Sequence, residues 1–283
     1  MNQNEEEQQA NQNAETRYHQ VFTRSDEMKR LELQGRWLAP LTRSFLSMAG
    51  IAPGMRVLDI GSGAGDVSLL TAELVGPQGS VTGIDYNSAF IQYGRERVQK
   101  AGVANVSFIE GDIATVELPG EYDAMVGRLV LGYTREPAAI VRRLAASLRP
   151  GGIVAFQEID LTYAGITLPE SALFRQGVRW IVEVLRRGGM EVGLRLYSIF
   201  TDAGLPAPQM ALLVTAGGGP DWAGYENLTE VVRGVLPQVV KLGLATEEEV
   251  GIDTLTRRLR EEAVRRGIAG LGLGLMSAWT RVS

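Results

Sequence analysis

The sequence predicts an α/β fold: a mostly parallel seven-stranded sheet with helices on both faces and a helical cap. Three observations carry this. Apolar strand patterns alternate with helical patterns over 56–157, and such βα alternation needs crossover helices covering both faces of a parallel sheet. The run V-L-D-I-G-S-G-A-G-D at 57–66 feeds an apolar strand into a helix through three closely spaced glycines, whose missing Cβ permits positive φ and lets a ligand approach the main chain. Finally, G-P-Q-G at 76–79 and R-P-G-G at 149–152 supply turns where strands must begin.

Bulk properties bound the function. With 283 residues, 45% of them hydrophobic, the chain is long enough for a substantial core. It contains no cysteine, which excludes disulfides, thiolate metal sites, iron–sulfur clusters and a cysteine nucleophile. The net charge of -5 argues against a broad basic footprint for nucleic acid or anionic membrane, so a small-molecule partner is expected. The first residues are polar and acidic, unlike a signal peptide, and no apolar run is long enough to span a bilayer. A cytoplasmic protein, monomeric or homodimeric and without metal, is expected.

Taken in order, residues 1–16 hold no apolar side chain larger than alanine after Met1 and predict a disordered tail. Residues 17–50 predict an N-terminal helical cap segment. There Ser25 caps a helix, Met28, Leu31, Leu38, Leu41 and Phe45 fall at helical spacing, Pro40 divides the stretch into two helices, and Gly50 ends the second. The core is expected over 51–216, with strands at 56–60, 80–85, 106–110, 122–127, 152–157 and 209–215. Its helices run to 75, to 101, over 137–148, over 171–187 and, briefly, near 195–203. The G-G-G-P at 217–220 breaks the pattern. A cap insertion at 217–266 follows, with helices at 222–242 and 247–266, and 267–283 reads as one final strand returning to the sheet. The L-G-L-G-L within it puts leucines on one face and glycines on the other, to admit a neighbouring element.

Ligands of open α/β sheets sit beyond the carboxyl ends of the strands. Asp59, Asp85, Asp112, Arg128 and Glu158 all fall at such ends. A glycine turn with an acid about twenty residues later first suggests a dinucleotide site. The spacing here is G-x-G-x-G, however, and Asp66 opens the helix where a pyrophosphate would lie. A carboxylate there opposes a second anion, so a ligand with ribose and no phosphate fits better.

Four ordered motifs, V-L-D-I-G-S-G-A-G-D, G-I-D-Y-N, F-I-E-G-D-I and L-R-P-G-G-I-V-A-F-Q-E, resemble those of the Rossmann-like class I S-adenosylmethionine-dependent methyltransferases over about residues 18–160. The resemblance implies that Gly61, Gly63 and Gly65 surround the methionine part and ribose. It further implies that Asp85, followed by Tyr86, accepts from the ribose hydroxyls, and that Asp112 with the Ile113 backbone holds the adenine edge. Asp59 would support the turn or meet the amino group. Tyr18 and Gln34 match the segment that closes the cofactor site in bacterial small-molecule members. S-adenosyl-L-methionine, leaving as S-adenosyl-L-homocysteine, is thus the implied cofactor, and its sulfonium and ammonium suit an acidic rim.

Glu158 is a candidate base or acceptor-orienting group, with Asp160 a weaker one. His19, the sole histidine, is a candidate base because imidazole titrates near neutrality, although a structural role is the commoner fate. Arg128 is a candidate contact to cofactor carboxylate or substrate, or the partner of a rim acid. Tyr18 and Trp37 are candidates for packing on a sulfonium or substrate. The arginines over 257–266 are interleaved with Glu261 and Glu262 and read as a solvated helix face. The expected function is methyl transfer to O, N or C of a small, partly apolar metabolite. The alternatives are an NAD(P)-dependent oxidoreductase on a related fold and a non-catalytic S-adenosylmethionine-binding protein. No tyrosine precedes a lysine by four positions, as the short-chain dehydrogenase pair requires, and the Asn/Asp-Pro-Pro-Tyr/Phe element of amino-methylating nucleic-acid enzymes is absent.

Overall fold

The computed structural model describes residues 27–283. The predicted tail, the Ser25 cap, Tyr18 and His19 lie outside the described residues. Helix α1 (Glu27–Ala49) leads into β1 (Arg56–Ile60), α2 (Asp66–Val75), β2 (Ser80–Asp85), α3 (Ser88–Ala101), β3 (Val106–Glu110) and β4 (Tyr122–Arg128). A 3-10 turn (Leu131–Tyr133), α4 (Pro137–Ala145) and β5 (Leu148–Asp160) complete the parallel part. The strand order is β3-β2-β1-β4-β5-β10-β7, where β7 is Gln209–Leu213 and β10 is Gly274–Arg281. β10 runs antiparallel to both β5 and β7, while β1 pairs in parallel with β2 and β4. Strand order therefore reverses between β1 and β4, and a ligand crevice is expected beyond their carboxyl ends.

Successive residues of the central strands feed opposite faces, as a period of two requires. Val57, Ala124, Val126, Ile153 and Ala155 join Phe45 and Leu46 of α1 and Leu70 of α2 in one core. Leu58, Met125, Val154 and Phe156 join Leu144 of α4 and Phe200 of α6 (Leu196–Asp202) in the other. A third core, built around Trp180, Ile181, Leu228, Val232 and Leu259, lies among α5 (Ala172–Arg187), α7 (Gly224–Lys241) and α9 (Ile252–Arg266).

Several local expectations give way to packing. Pro40 lies inside one continuous α1 rather than between two helices. Leu38, Thr42, Phe45 and Leu46 on either side of it are buried, and that packing offsets the roughly 3 kcal/mol typical of an interior proline. Gly251, in the left-handed conformation at φ 54, divides the last predicted helix into α8 (Glu247–Val250) and α9. The C-terminal stretch is two strands, not one: β9 (Ala269–Leu271) precedes β10 and joins a small antiparallel sheet between β6 (Thr167–Leu168) and β8 (Ala216–Gly218). The break falls at Gly272, whose N–H bonds the Thr215 carbonyl and whose missing Cβ leaves room for Thr215 and Trp37. Gly217 and Gly218, expected only to interrupt the pattern, thus lie in a strand with Ala216; Gly217 and Gly224 accommodate Trp222, which stacks on Phe174 at 5.9 Å.

Candidate functional site

The glycine turn is shaped by its neighbours. Gly61, Gly63 and Gly65 have φ of 64, 51 and 81, a region other residues adopt only with strain. A Cβ on Gly61 would overlap Val130, whereas one on Gly63 would meet nothing within 4 Å. The turn thus packs against the β4 connection at one glycine and opens toward a cavity at the next. Asp66 at the start of α2 pairs with Arg97 at 2.8 Å, and Arg97 also donates to the Ala64 carbonyl at 2.7 Å. Gly35 of α1 lies directly over the Asp66 carboxyl, where a Cβ would not fit, so α1 is pressed onto the first turn of α2.

Asp85, at the end of β2, is 7% exposed. Its Oδ2 accepts from Gly63 N–H at 2.8 Å and its Oδ1 from Asn87 N–H at 2.9 Å. Burial pushes its pKa up, and these backbone bonds oppose the shift. Tyr86 N–H is a third backbone donor to this carboxylate, which, with about four lone-pair sites, keeps acceptor capacity for a ligand. Asp112 accepts from Ala114 N–H at 2.8 Å. Arg143 on α4 donates to the carbonyls of Ile113 and, at 3.0 Å, Val116, fixing the loop after β3.

Arg128 closes β4. It donates to Thr42 Oγ1 at 3.0 Å, Thr42 donates to Gln157 Oε1 at 2.8 Å, and Gln157 Nε2 donates to Ser277 Oγ at 3.0 Å. Thr42, Gln157 and Ser277 are fully buried, so the chain of bonds ties α1, β4, β5 and β10 together at the cavity floor. Burial lowers the Arg128 pKa, while Asp66 and Asp59 favour its charge.

Glu158 Oε1 accepts from the N–H groups of Val130 and Leu131 at 2.9 and 2.8 Å. Burial nevertheless pushes its pKa up to about 7. The carboxyl holds the connection that starts at Leu129, the non-glycine residue with positive φ (55) among those described, and ends in Tyr133.

These groups meet around a cavity of 720 Å³ at the β1/β4 reversal. Its wall includes Gln34, Gly61, Gly63, Asp85, Tyr86, Asp112, Ile113, Arg128 and Glu158. Two expected residues stand behind it. Gly65 faces Phe108, and Asp59, 1% exposed, accepts from Ser68 Oγ at 2.5 Å on α2. Burial pushes the Asp59 pKa up to about 7. Asp59 therefore braces the turn from beneath and does not reach the wall. Sequence reasoning missed Thr42, Gln157 and Ser277, which ordinary polar residues in a helix and two strands do not advertise, and Arg143, whose role depends on where α4 lies. Among the described residues no cluster of three acid or histidine side chains is placed to hold a metal, and no helix is long and apolar enough to cross a membrane.

Residues 51–184 match the family model described as a methyltransferase domain. The ubiquinone/menaquinone biosynthesis C-methyltransferase UbiE of Pseudomonas putida is 32% identical over 50% of this chain and 56% of its own length. An arsenite methyltransferase of Halobacterium salinarum is 36% identical over 41% of this chain and 30% of its own. The chain thus spans about half, or less, of the length of these curated relatives. In three dimensions the YcgJ protein of Bacillus subtilis superposes with a TM-score of 0.55 at 19% identity, covering 85% of this chain and 97% of that one.

Proposed function

From the match of residues 51–184 to a methyltransferase-domain model we propose that the protein moves a methyl group from S-adenosylmethionine to O, N or C of a small, partly apolar metabolite. The observation that carries this reading is the buried Asp85 carboxylate beside the open face of Gly63, in a cavity whose glycine turn meets an acid rather than an anion-binding residue. Such an anionic acceptor fits a ribose diol on a cationic ligand and disfavours a pyrophosphate.

In this reading Gly61 and Gly63 flank the methionine part and ribose, with Gly65 shaping the turn. Asp85 accepts from the ribose hydroxyls beside Tyr86, and Asp112 with the Ile113 backbone meets adenine. Arg128 receives the carboxylate, and Gln34, with Tyr18 from outside the described residues, closes the site. Asp59 acts through Ser68 on the turn. When bound, the cofactor supplies an activated methyl on a sulfonium. The protein's part is alignment and exclusion of water, which accelerates an in-line displacement. Glu158 fixes the Leu131–Tyr133 turn beside the reaction space; it and His19 are the candidate bases for an acceptor that must lose a proton. We place this chemistry in the cytoplasm, in a monomer or homodimer acting on a small molecule and not on nucleic acid.

Methyl-tritiated S-adenosylmethionine, incubated with the protein and a panel of phenols, quinols and amines, should yield labelled product and S-adenosylhomocysteine. Tight cofactor binding with no transfer across the panel would favour a non-catalytic binding protein instead.

A further inference from the structure

The cavity wall changes character along the chain. Its acidic strand ends and its arginines all come from residues before 160. Beyond residue 159 the chain contributes six side chains, Leu185, Met190, Asn227, Val231, Leu273 and Leu275, five of them apolar and one an amide. Leu185, Met190 and Leu273 belong to the buried core among α5, α7 and α9, and Trp37, Tyr133, Ile159 and Val231 pack against that same core. The cavity therefore has an apolar lobe built on that core. Asn227 and Val231 stand four residues apart on α7 and so share one helix face. The Asn227 amide makes no side-chain hydrogen bond among the described residues, although it lines the cavity.

None of the six side chains beyond residue 159 carries a charge, and Glu158, next to Ile159 in sequence, has its Oε1 engaged by two backbone N–H groups. An ionised ligand entering the lobe would lose its hydration without a matched counter-charge. A neutral one would lose little and could satisfy its polar group on the amide, which both donates and accepts. The six side chains all lie beyond the matched domain, which ends at residue 184. Selectivity for the acceptor is thus a property of the C-terminal elements of this chain.

Resting on the methyl-transfer reading, we infer that the acceptor is a neutral, largely apolar molecule bearing a hydroxyl or carbonyl, seated in this lobe with that group bonded to Asn227. Asn227 is thereby a specificity-determining residue. The test titrates 2-naphthol, naphthalene, 2-naphthoate and 2-naphthylmethylammonium into the full-length protein, with and without saturating S-adenosylhomocysteine, and follows binding by calorimetry. The expected order places 2-naphthol at least tenfold ahead of each of the other three. Asn227→Leu should bring 2-naphthol and naphthalene to within about twofold, and Val231→Lys should move the preference toward 2-naphthoate. S-adenosylhomocysteine affinity should stay unchanged in both variants, which also reports that they are folded. Tighter binding of either charged probe to the wild type, or an undiminished naphthol advantage in folded Asn227→Leu, would overturn the inference. Failure of S-adenosylhomocysteine to bind the wild type would instead remove the methyl-transfer reading, while the probe order without it still decides the character of the lobe.

Discussion

Asp59 and Asp85 end neighbouring strands with similar burial, yet their surroundings assign them different work. Asp85 faces the cavity and ties the glycine turn to β2 through Gly63 and Asn87. Asp59 turns into the protein toward Ser68. Asp85→Ala should weaken S-adenosylhomocysteine binding by about tenfold to a hundredfold, the scale of lost hydrogen bonds to a charged group. Asp59→Asn should leave that affinity unchanged and alter the pH dependence of stability. Burial raises the Asp59 pKa from 3.8 to about 7, so its proton is held more tightly in the folded state than in the unfolded one. Its contribution is therefore most favourable below the unfolded pKa and is lost as pH rises through the folded pKa. Relative to wild type, Asp59→Asn should gain stability between pH 4 and 8, reaching a few kcal/mol, as read from denaturant melts at several pH values. A constant offset across that range would mean that Asp59 is ionised in the fold. The strand-end position of both acids is plain in the sequence; which way each carboxyl turns is not, because it depends on α2 presenting Ser68.

At the scale of elements, α1 is held to the sheet by both apolar and polar contacts. Its Thr42 stands between the partly buried Arg128 and the fully buried Gln157 in a chain of hydrogen bonds that continues to Ser277. Thr42→Val keeps the shape and removes the hydroxyl, leaving Arg128 and Gln157 each short of a partner. It should lower stability by about 1–3 kcal/mol, measured by urea denaturation, and weaken cofactor affinity through Arg128. An unchanged denaturation midpoint would show the chain of bonds to be dispensable. The single α1 was not legible because an interior proline normally ends a helix, and only tertiary contacts of Leu38, Phe45 and Leu46 reverse that local preference. The division of the C-terminal stretch into β9 and β10 was hidden for a related reason. Alternating leucine and glycine read as one strand until the close approach of Thr215 and Trp37 to Gly272 sets the break.

Across the whole molecule, the parallel half follows from pattern alone, since β1 to β4 begin and end within a residue of where alternation and turn residues place them. The C-terminal half follows from packing among α5, α7, α9 and the small sheet, which no local signal encodes. The site inherits the same division: its glycine turn and acids stand in readable motifs, while the apolar lobe is assembled from side chains at 185–275 that only the fold brings together. On the function proposed above, the cavity at the β1/β4 reversal takes a phosphate-free, cationic adenosine ligand. Calorimetric titration of the wild type and of Asp85→Ala with S-adenosylmethionine, and separately with NADPH, tests it most directly. Saturable S-adenosylmethionine binding at micromolar concentrations, weakened at least tenfold by Asp85→Ala, is expected, with no heat from NADPH; tight NADPH binding without S-adenosylmethionine binding would overturn this assignment of the cavity.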